Sequence, residues 1–393
     1  MIRRLLLPIG MLSILFLSLP PDSAQANPGF ARKFGASCIL CHAGFPKLNQ
    51  FGDDFAGNGF QMPGGGIASM AEKLGDPKLF LEKNMNLAAR VDAFLRYRSD
   101  TDTRSDFETP FLAKLFITGY LANNVTFYTY FLADEGGEVV GLEDAFLYLN
   151  NLFGQDLDFQ IGQFQVMDPV YSREQRLTYQ DIEIYLVQPG DSQFELTYQR
   201  GGLLSFGKGP VDLVAGVVNG NGIGTENGDG NFDNNTPKDY FGRIGAGAGP
   251  VSIGYFGYKG LERDDGTGRL NSLSRHGPDL RIWYKKLDIR TEWLFGVDRN
   301  PDFAASAAPI RHSGGFAEID YHFNTDWTGV ILYNYVGSKK ERVLEKNLAT
   351  VNLTHYFLRN LKAFLEYTHD LQSKSSDHPH KAHSLTVAVV LAF

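Results

Sequence analysis

The chain has 393 residues, a net charge of −8, 43 glycines, 30 phenylalanines, 18 tyrosines and a mean hydropathy of −0.21. A slightly acidic chain lacks the basic face that a phosphate backbone demands, which excludes nucleic acid as a partner. After the first few tens of residues there is no apolar stretch of about eighteen or more, which excludes a transmembrane helix.

In chain order, Arg3 and Arg4, the apolar run Leu5–Leu19 and the small-residue pattern Ala24-Gln25-Ala26 read as a signal peptide over 1–26. Both cysteines of the chain, Cys38 and Cys41, follow, with His42 directly after them. In an exported protein, Cys-x-x-Cys-His reads as a covalent c-type haem site. Cys38 and Cys41 would form the thioethers and His42 would ligate the iron. A thioredoxin-type redox pair needs a βαβ context, and a structural disulfide leaves His42 unexplained. Met62, just beyond Phe60, is a candidate second axial ligand whose thioether would raise the reduction potential. Met70, Met85 or a barrel histidine are the alternatives, and Met62 merely packing against the haem or the barrel wall is another.

From Asn86 onward the pattern has period two. "LDIRTEWLF" sets Leu287, Ile289, Trp293 and Phe295 against Asp288, Arg290 and Glu292, and "AEIDYHF" and "AARVDAFLRYR" behave alike. Charges on the second face are too frequent for a sandwich core, and no blade repeat supports a propeller. The pattern predicts an all-β transmembrane outer-membrane barrel of about sixteen antiparallel strands, apolar toward lipid and polar toward the lumen. A small N-terminal α-helical c-type cytochrome segment would precede it. The domains are then a signal peptide (1–26), a haem segment and linker able to plug the barrel (27–85), and the barrel (86–393). Short links at Asn123-Asn124, Gly249-Pro250, Lys285-Lys286, Asn324-Thr325 and Arg359-Asn360 alternate with long polar links over 219–239 and 259–279. The weak pattern over 165–189 marks the loop after the fifth strand, folded into the pore. Lumen charges at Arg90, Arg96, Arg281, Asp288, Arg290, Glu292, Glu318 and Asp320 are candidates for holding a plug through ion pairs. Asp377, His378, His380 and His383 suit iron chemically, but read as a solvated external loop. The loop 219–239 lacks the EF-hand order for calcium.

The stretch "NPGFARKFGASCILCHAGFPKLNQFGDDFAGNGFQM" resembles the N-terminal signature of the fused monohaem cytochrome–porins of iron-oxidising bacteria. The matching residues are Pro28, Phe30-Ala31-Arg32, Gly35, Cys38, Cys41-His42, Pro46, Leu48-Asn49, Phe51-Gly52, Phe55, Gly59 and Met62. Asp53 and Asp54 depart from it, because the family usually carries basic residues there. The resemblance implies one covalent haem c in an integral outer-membrane protein. It implies one-electron oxidation of extracellular Fe(II), an Fe(II) oxidase activity, with electrons passed inward to a periplasmic cytochrome. The alternatives are electron export to an external acceptor, or a transport porin with a structural haem. The apolar band of such a barrel is about 25 Å tall. A single haem that carries electrons across it is therefore expected inside the lumen, near the external mouth, with a position on the periplasmic side as the alternative.

Overall fold

The computed structural model describes residues 28–62, 72, 75, 76, 78–83, 86–372 and 382–393, and in it sixteen antiparallel strands close into a single barrel. They are β1 (Asn86–Arg98), β2 (Ser105–Ala122), β3 (Val125–Glu135), β4 (Gly141–Leu149), β5 (Leu157–Gln165), β6 (Tyr198–Lys208), β7 (Val211–Val218) and β8 (Asp239–Ala248). The second half comprises β9 (Val251–Arg263), β10 (Leu270–Tyr284), β11 (Leu287–Asp298), β12 (Ile310–His322), β13 (Trp327–Ser338), β14 (Lys346–Leu358), β15 (Leu361–Asp370) and β16 (His383–Ala392). The expected leader over 1–26 and Met70, Met85, Asp377, His378 and His380 lie outside the described residues. Among the described residues no helix is long and apolar enough to cross a membrane.

The alternation places charge inside and hydrocarbon outside. On β11, Asp288, Arg290 and Glu292 are buried toward the lumen while Trp293 and Phe295 are exposed. On β16, Thr386, Ala388 and Val390 are buried and Leu391 is exposed. A slip of one residue would turn every charge toward lipid, so the pattern also fixes the register. Closure pairs β16 with β1, Leu385 opposite Tyr97 and Leu391 opposite Val91. Ala89 and Phe393 complete it by exchanging backbone hydrogen bonds at 2.7 and 2.9 Å. No strand edge remains to recruit another chain.

One end of the barrel carries the short turns. Gly209-Pro210 and Gly249-Pro250 each put a positive φ (61° and 58°) on the glycine, at the first central position where a type II′ hairpin needs one. Tyr284, Phe323, Trp327 and Phe393 are exposed beside these turns, as in the aromatic girdle of a membrane interface. At the other end the connections are longer. The link expected over 259–279 is mostly strand: β9 runs to Arg263, β10 starts at Leu270, and Leu261 pairs with Ser272. The sequence there is polar because strands that rise above the lipid have water available on both faces.

After β5 the chain does not turn back along the wall. Residues 166–197 enter the lumen, and Val166, Met167, Tyr171, Ile182, Ile184, Tyr185, Phe194 and Leu196 form one buried apolar cluster with Phe256, Leu294, Phe316 and Leu332 of the wall. Each such side chain contributes about 1.5–3 kcal/mol on burial. Wall carboxylates and amides satisfy the loop's polar groups. Glu366 accepts from the backbone N–H groups of Tyr179 (2.7 Å) and Gln180 (2.8 Å), and Asn334 Nδ2 donates to Asp181 O at 2.8 Å.

The helical cytochrome expected ahead of the barrel is not shown. The described residues there form α1 (Pro28–Phe34), a 3-10 turn (Cys38–Leu40), a small hairpin pairing His42–Gly44 with Lys47–Leu48, and α2 (Gln50–Gly57). Asn49 caps α2 by accepting from the Gly52 N–H at 2.9 Å. Its other end closes in a Schellman motif: Gly59, at φ 61°, donates to Ala56 O, and Phe60 donates to Phe55 O.

Candidate functional site

The N-terminal segment sits inside the short-turn mouth of the barrel, not near the long-loop mouth expected for it. Lys47 is the central contact. Fully buried, its Nζ lies 2.5 Å from Glu318, 2.8 Å from Asp320 and 3.8 Å from Asp288. Arg281 pairs with Asp53 at 2.6 Å. Wall hydroxyls take up carbonyls that the end of α2 leaves open: Tyr148 donates to Gly57 O (2.6 Å), Thr126 to Gly59 O (2.7 Å) and Tyr120 to Phe60 O. Arg281, Asp288, Glu318 and Asp320, among the lumen charges picked out by their alternation, therefore do meet the segment. The others pair elsewhere: Arg90 with Asp92, Arg96 with Glu108, Arg290 with Asp288, and Glu292 with the loop hydroxyl of Tyr185 at 2.6 Å. Lys47 was missed in the sequence because a single lysine in "FPKLN" has no signal until its three carboxylates are known.

Glu318 joins both lumen elements. One oxygen accepts from Lys47 and the other from Tyr171 of the loop at 2.8 Å.

Cys38, Cys41, His42 and Met62 line one small apolar cavity of about 140 Å³, walled also by Phe30, Phe34, Phe55 and Tyr128. Cys38 Sγ lies 3.5 Å from the Arg359 carbonyl in a short turn, and His42 Nδ1 is 3.1 Å from Pro46 O. Burial pushes the Cys41 thiol up and depresses His42 to about 4, so the thiol is protonated and the imidazole neutral at pH 7.

Above this segment three larger spaces follow one another along the lumen. An inner chamber of about 550 Å³ is lined by His42, Asp53, Arg90, Asp144, Asp168 and Glu174 among others. It shares Arg90 and Glu174 with a constriction of about 500 Å³ between the loop edge and the wall of β1–β4 and β15. The constriction shares Glu195, Thr197 and Tyr198 with a vestibule of about 640 Å³ at the long-loop mouth. Ion pairs tie the loop edge together there. Arg173 and Arg176 converge on Asp181; burial would raise that carboxyl, but the two guanidiniums outweigh it and hold it down to about 2. Asp168, which faces the chamber, is instead raised to about 7, chiefly by burial. Sequence reasoning missed these spaces, because their walls are assembled from strands all around the barrel and from the loop.

No family model matches the sequence, and no curated protein matches it. Solved structures do. The anion-selective porin from Comamonas acidovorans aligns at a TM-score of 0.57 and 10% identity, covering 79% of this chain and 99% of that one. OmpF of Salmonella typhi, solved with daunomycin, aligns at 0.56 and 12%, covering 79% and 97%. OmpT of Vibrio cholerae aligns at 0.54 and 11%, covering 82% and 100%. The fold is that of a sixteen-stranded porin, and the protein is an integral outer-membrane β-barrel.

These findings correct the reading of the N-terminal segment. The chain resembles porins and not fusions of a cytochrome with a barrel, and among the described residues no group of three or more His, Cys, Asp and Glu side chains could hold a metal ion. The fused cytochrome–porin assignment, haem c as the cofactor, Fe(II) oxidase activity, and Fe(II) and a periplasmic cytochrome as partners are all overturned on this ground. Cys38, Cys41, His42 and Met62 share one small apolar cavity, but no wider set of His, Cys, Asp and Glu donors gathers around them among the described residues.

Proposed function

We propose that the protein is a solute-transport porin, a diffusion channel for small polar solutes with a preference for cations. The observation that carries this reading is the run of vestibule, constriction and chamber with shared walls, on the side of the barrel that the internal loop leaves unfilled. Short turns face the periplasm in outer-membrane barrels, so the vestibule is the external entrance. Its wall carries Asp191, Glu195, Glu226, Asp233, Glu262, Asp264 and Asp265 against the single base Arg263. Such a one-signed mouth concentrates counter-ions. The segment 28–62 acts as a plug at the periplasmic exit, with Cys38, Cys41, His42 and Met62 around its small apolar cavity. The purified full-length protein in a planar bilayer should conduct, and under a KCl gradient its reversal potential should have the sign of a cation-selective pore. A silent bilayer or an anion-selective reversal potential sinks this reading.

A further inference from the structure

We propose that the inner chamber is a binding site for a small primary ammonium ion, formed by Asp144, Asp168 and Gln165. The inference rests on the porin reading, since the ligand is a solute in transit. Asp144 on β4 is 5% exposed and Gln165 at the end of β5 is 1% exposed, yet Asp144 Oδ1 and Gln165 Oε1 have no hydrogen-bond partner among the described residues. Buried acceptors are seldom left so. A chain of donors fixes the orientation of the Gln165 amide. Lys114 donates to Glu174 (2.7 Å), Tyr198 OH donates to the other oxygen of Glu174 (3.4 Å), and the Tyr198 oxygen can then only accept, from Gln165 Nε2 at 2.9 Å. That leaves Gln165 Oε1 for the chamber. Gln175 Oε1, on the same chamber wall, is a third orphaned acceptor.

With Asn86 Oδ1 the lining holds four open acceptors against one open donor, Arg290 Nη2, so the complement is a donor-rich group. An alkylammonium group offers three N–H donors, no acceptor and a positive charge. The charge is wanted, because the chamber's own cations are engaged: Arg90 with Asp92, and Arg281 and Arg290 with Asp288. Neither Asp144 nor Asp168 forms an ion pair among the described residues. Phe116, Tyr128 and Phe146 line the same space and offer ring faces to a cation and its alkyl chain. A bare metal ion fits less well, since among the described residues no group of three His, Cys, Asp and Glu side chains converges.

The test is block of the potassium current through full-length protein in a planar bilayer. n-Butylammonium should block in a concentration-dependent way. Tetramethylammonium has charge without N–H donors and n-butanol has no charge, so each should be at least roughly tenfold weaker, the loss expected for a charge-assisted hydrogen bond. Asp144→Asn should raise the half-blocking concentration of n-butylammonium about tenfold, measured against the variant's own open current. Asp168→Asn, nearly isosteric and outside the loop's apolar cluster, should do the same. Equal block by tetramethylammonium, or wild-type block in both variants, overturns the site. If no current flows at all, the porin reading fails separately, and titration calorimetry of n-butylammonium into the detergent-solubilised protein then decides. Binding upholds the site and its absence overturns it.

Discussion

The two elements that occupy the lumen are held by different physics. The internal loop 166–197 is anchored by a continuous apolar cluster that reaches strands β8–β13 and by backbone N–H groups given to wall carboxylates. It has no water-filled alternative in which its tyrosines and isoleucines are content, so it is part of the barrel's core. The N-terminal segment is anchored by Lys47 in a ring of three carboxylates, by the Arg281–Asp53 pair, and by hydroxyls capping carbonyls. Every one of these groups can be satisfied by water once the segment leaves. A wall built from charge can therefore hold a removable plug, while a wall built from hydrocarbon holds a permanent one.

The sharpest way to break this comparison is Lys47→Met. It leaves Glu318 and Asp320 buried without their cation, which costs about 3–5 kcal/mol, and the strain is relieved by releasing the plug into solvent. Single-channel conductance should rise and 28–62 should become sensitive to protease, while the barrel stays folded on a heat-modifiability gel. Unchanged conductance and protection would show that the ion cluster does not hold the segment.

Ile184→Ala tests the other side. The side chain is buried in the loop cluster, and its truncation should lower barrel stability by about 2–4 kcal/mol, seen as a fall in the thermal midpoint in detergent. Plug protection should be unaffected. Loss of the plug with no change in midpoint would reverse the contrast drawn here.

The mildest perturbation is pH. His42 has an ordinary value of 6.5 and is depressed to about 4 by burial. The undocked segment thus binds a proton that the docked one refuses. Its contribution is fully present above pH 6.5 and declines as pH falls toward 4. Protease protection of the plug should weaken across that window, and His42→Gln should flatten the dependence. A profile that is flat in the wild type would mean that the imidazole is not desolvated on docking.

How much of this was legible in the sequence follows from what carries each feature. The barrel was legible because side chains alternate with period two whatever the partner strand, so Asp288, Arg290 and Glu292 declare one face and Trp293 and Phe295 the other. The loop after β5 was legible as a gap in that alternation. The 263–270 link was overestimated, because strands that leave the membrane lose the apolar face that announces them. The cysteine motif misled, since Cys38, Cys41 and His42 are close in sequence whatever surrounds them.

What the sequence determined by itself was the transmembrane barrel, its strand count and the sign of each face, because these depend on neighbours two residues apart. Only the tertiary structure decided that Lys47 meets Glu318, Asp320 and Asp288, that Glu318 also receives Tyr171, and that Asp144, Gln165 and Asp168 share one chamber. Those contacts join residues tens to hundreds of positions apart. They arise from barrel closure, which brings distant strands around one lumen and which no local pattern encodes.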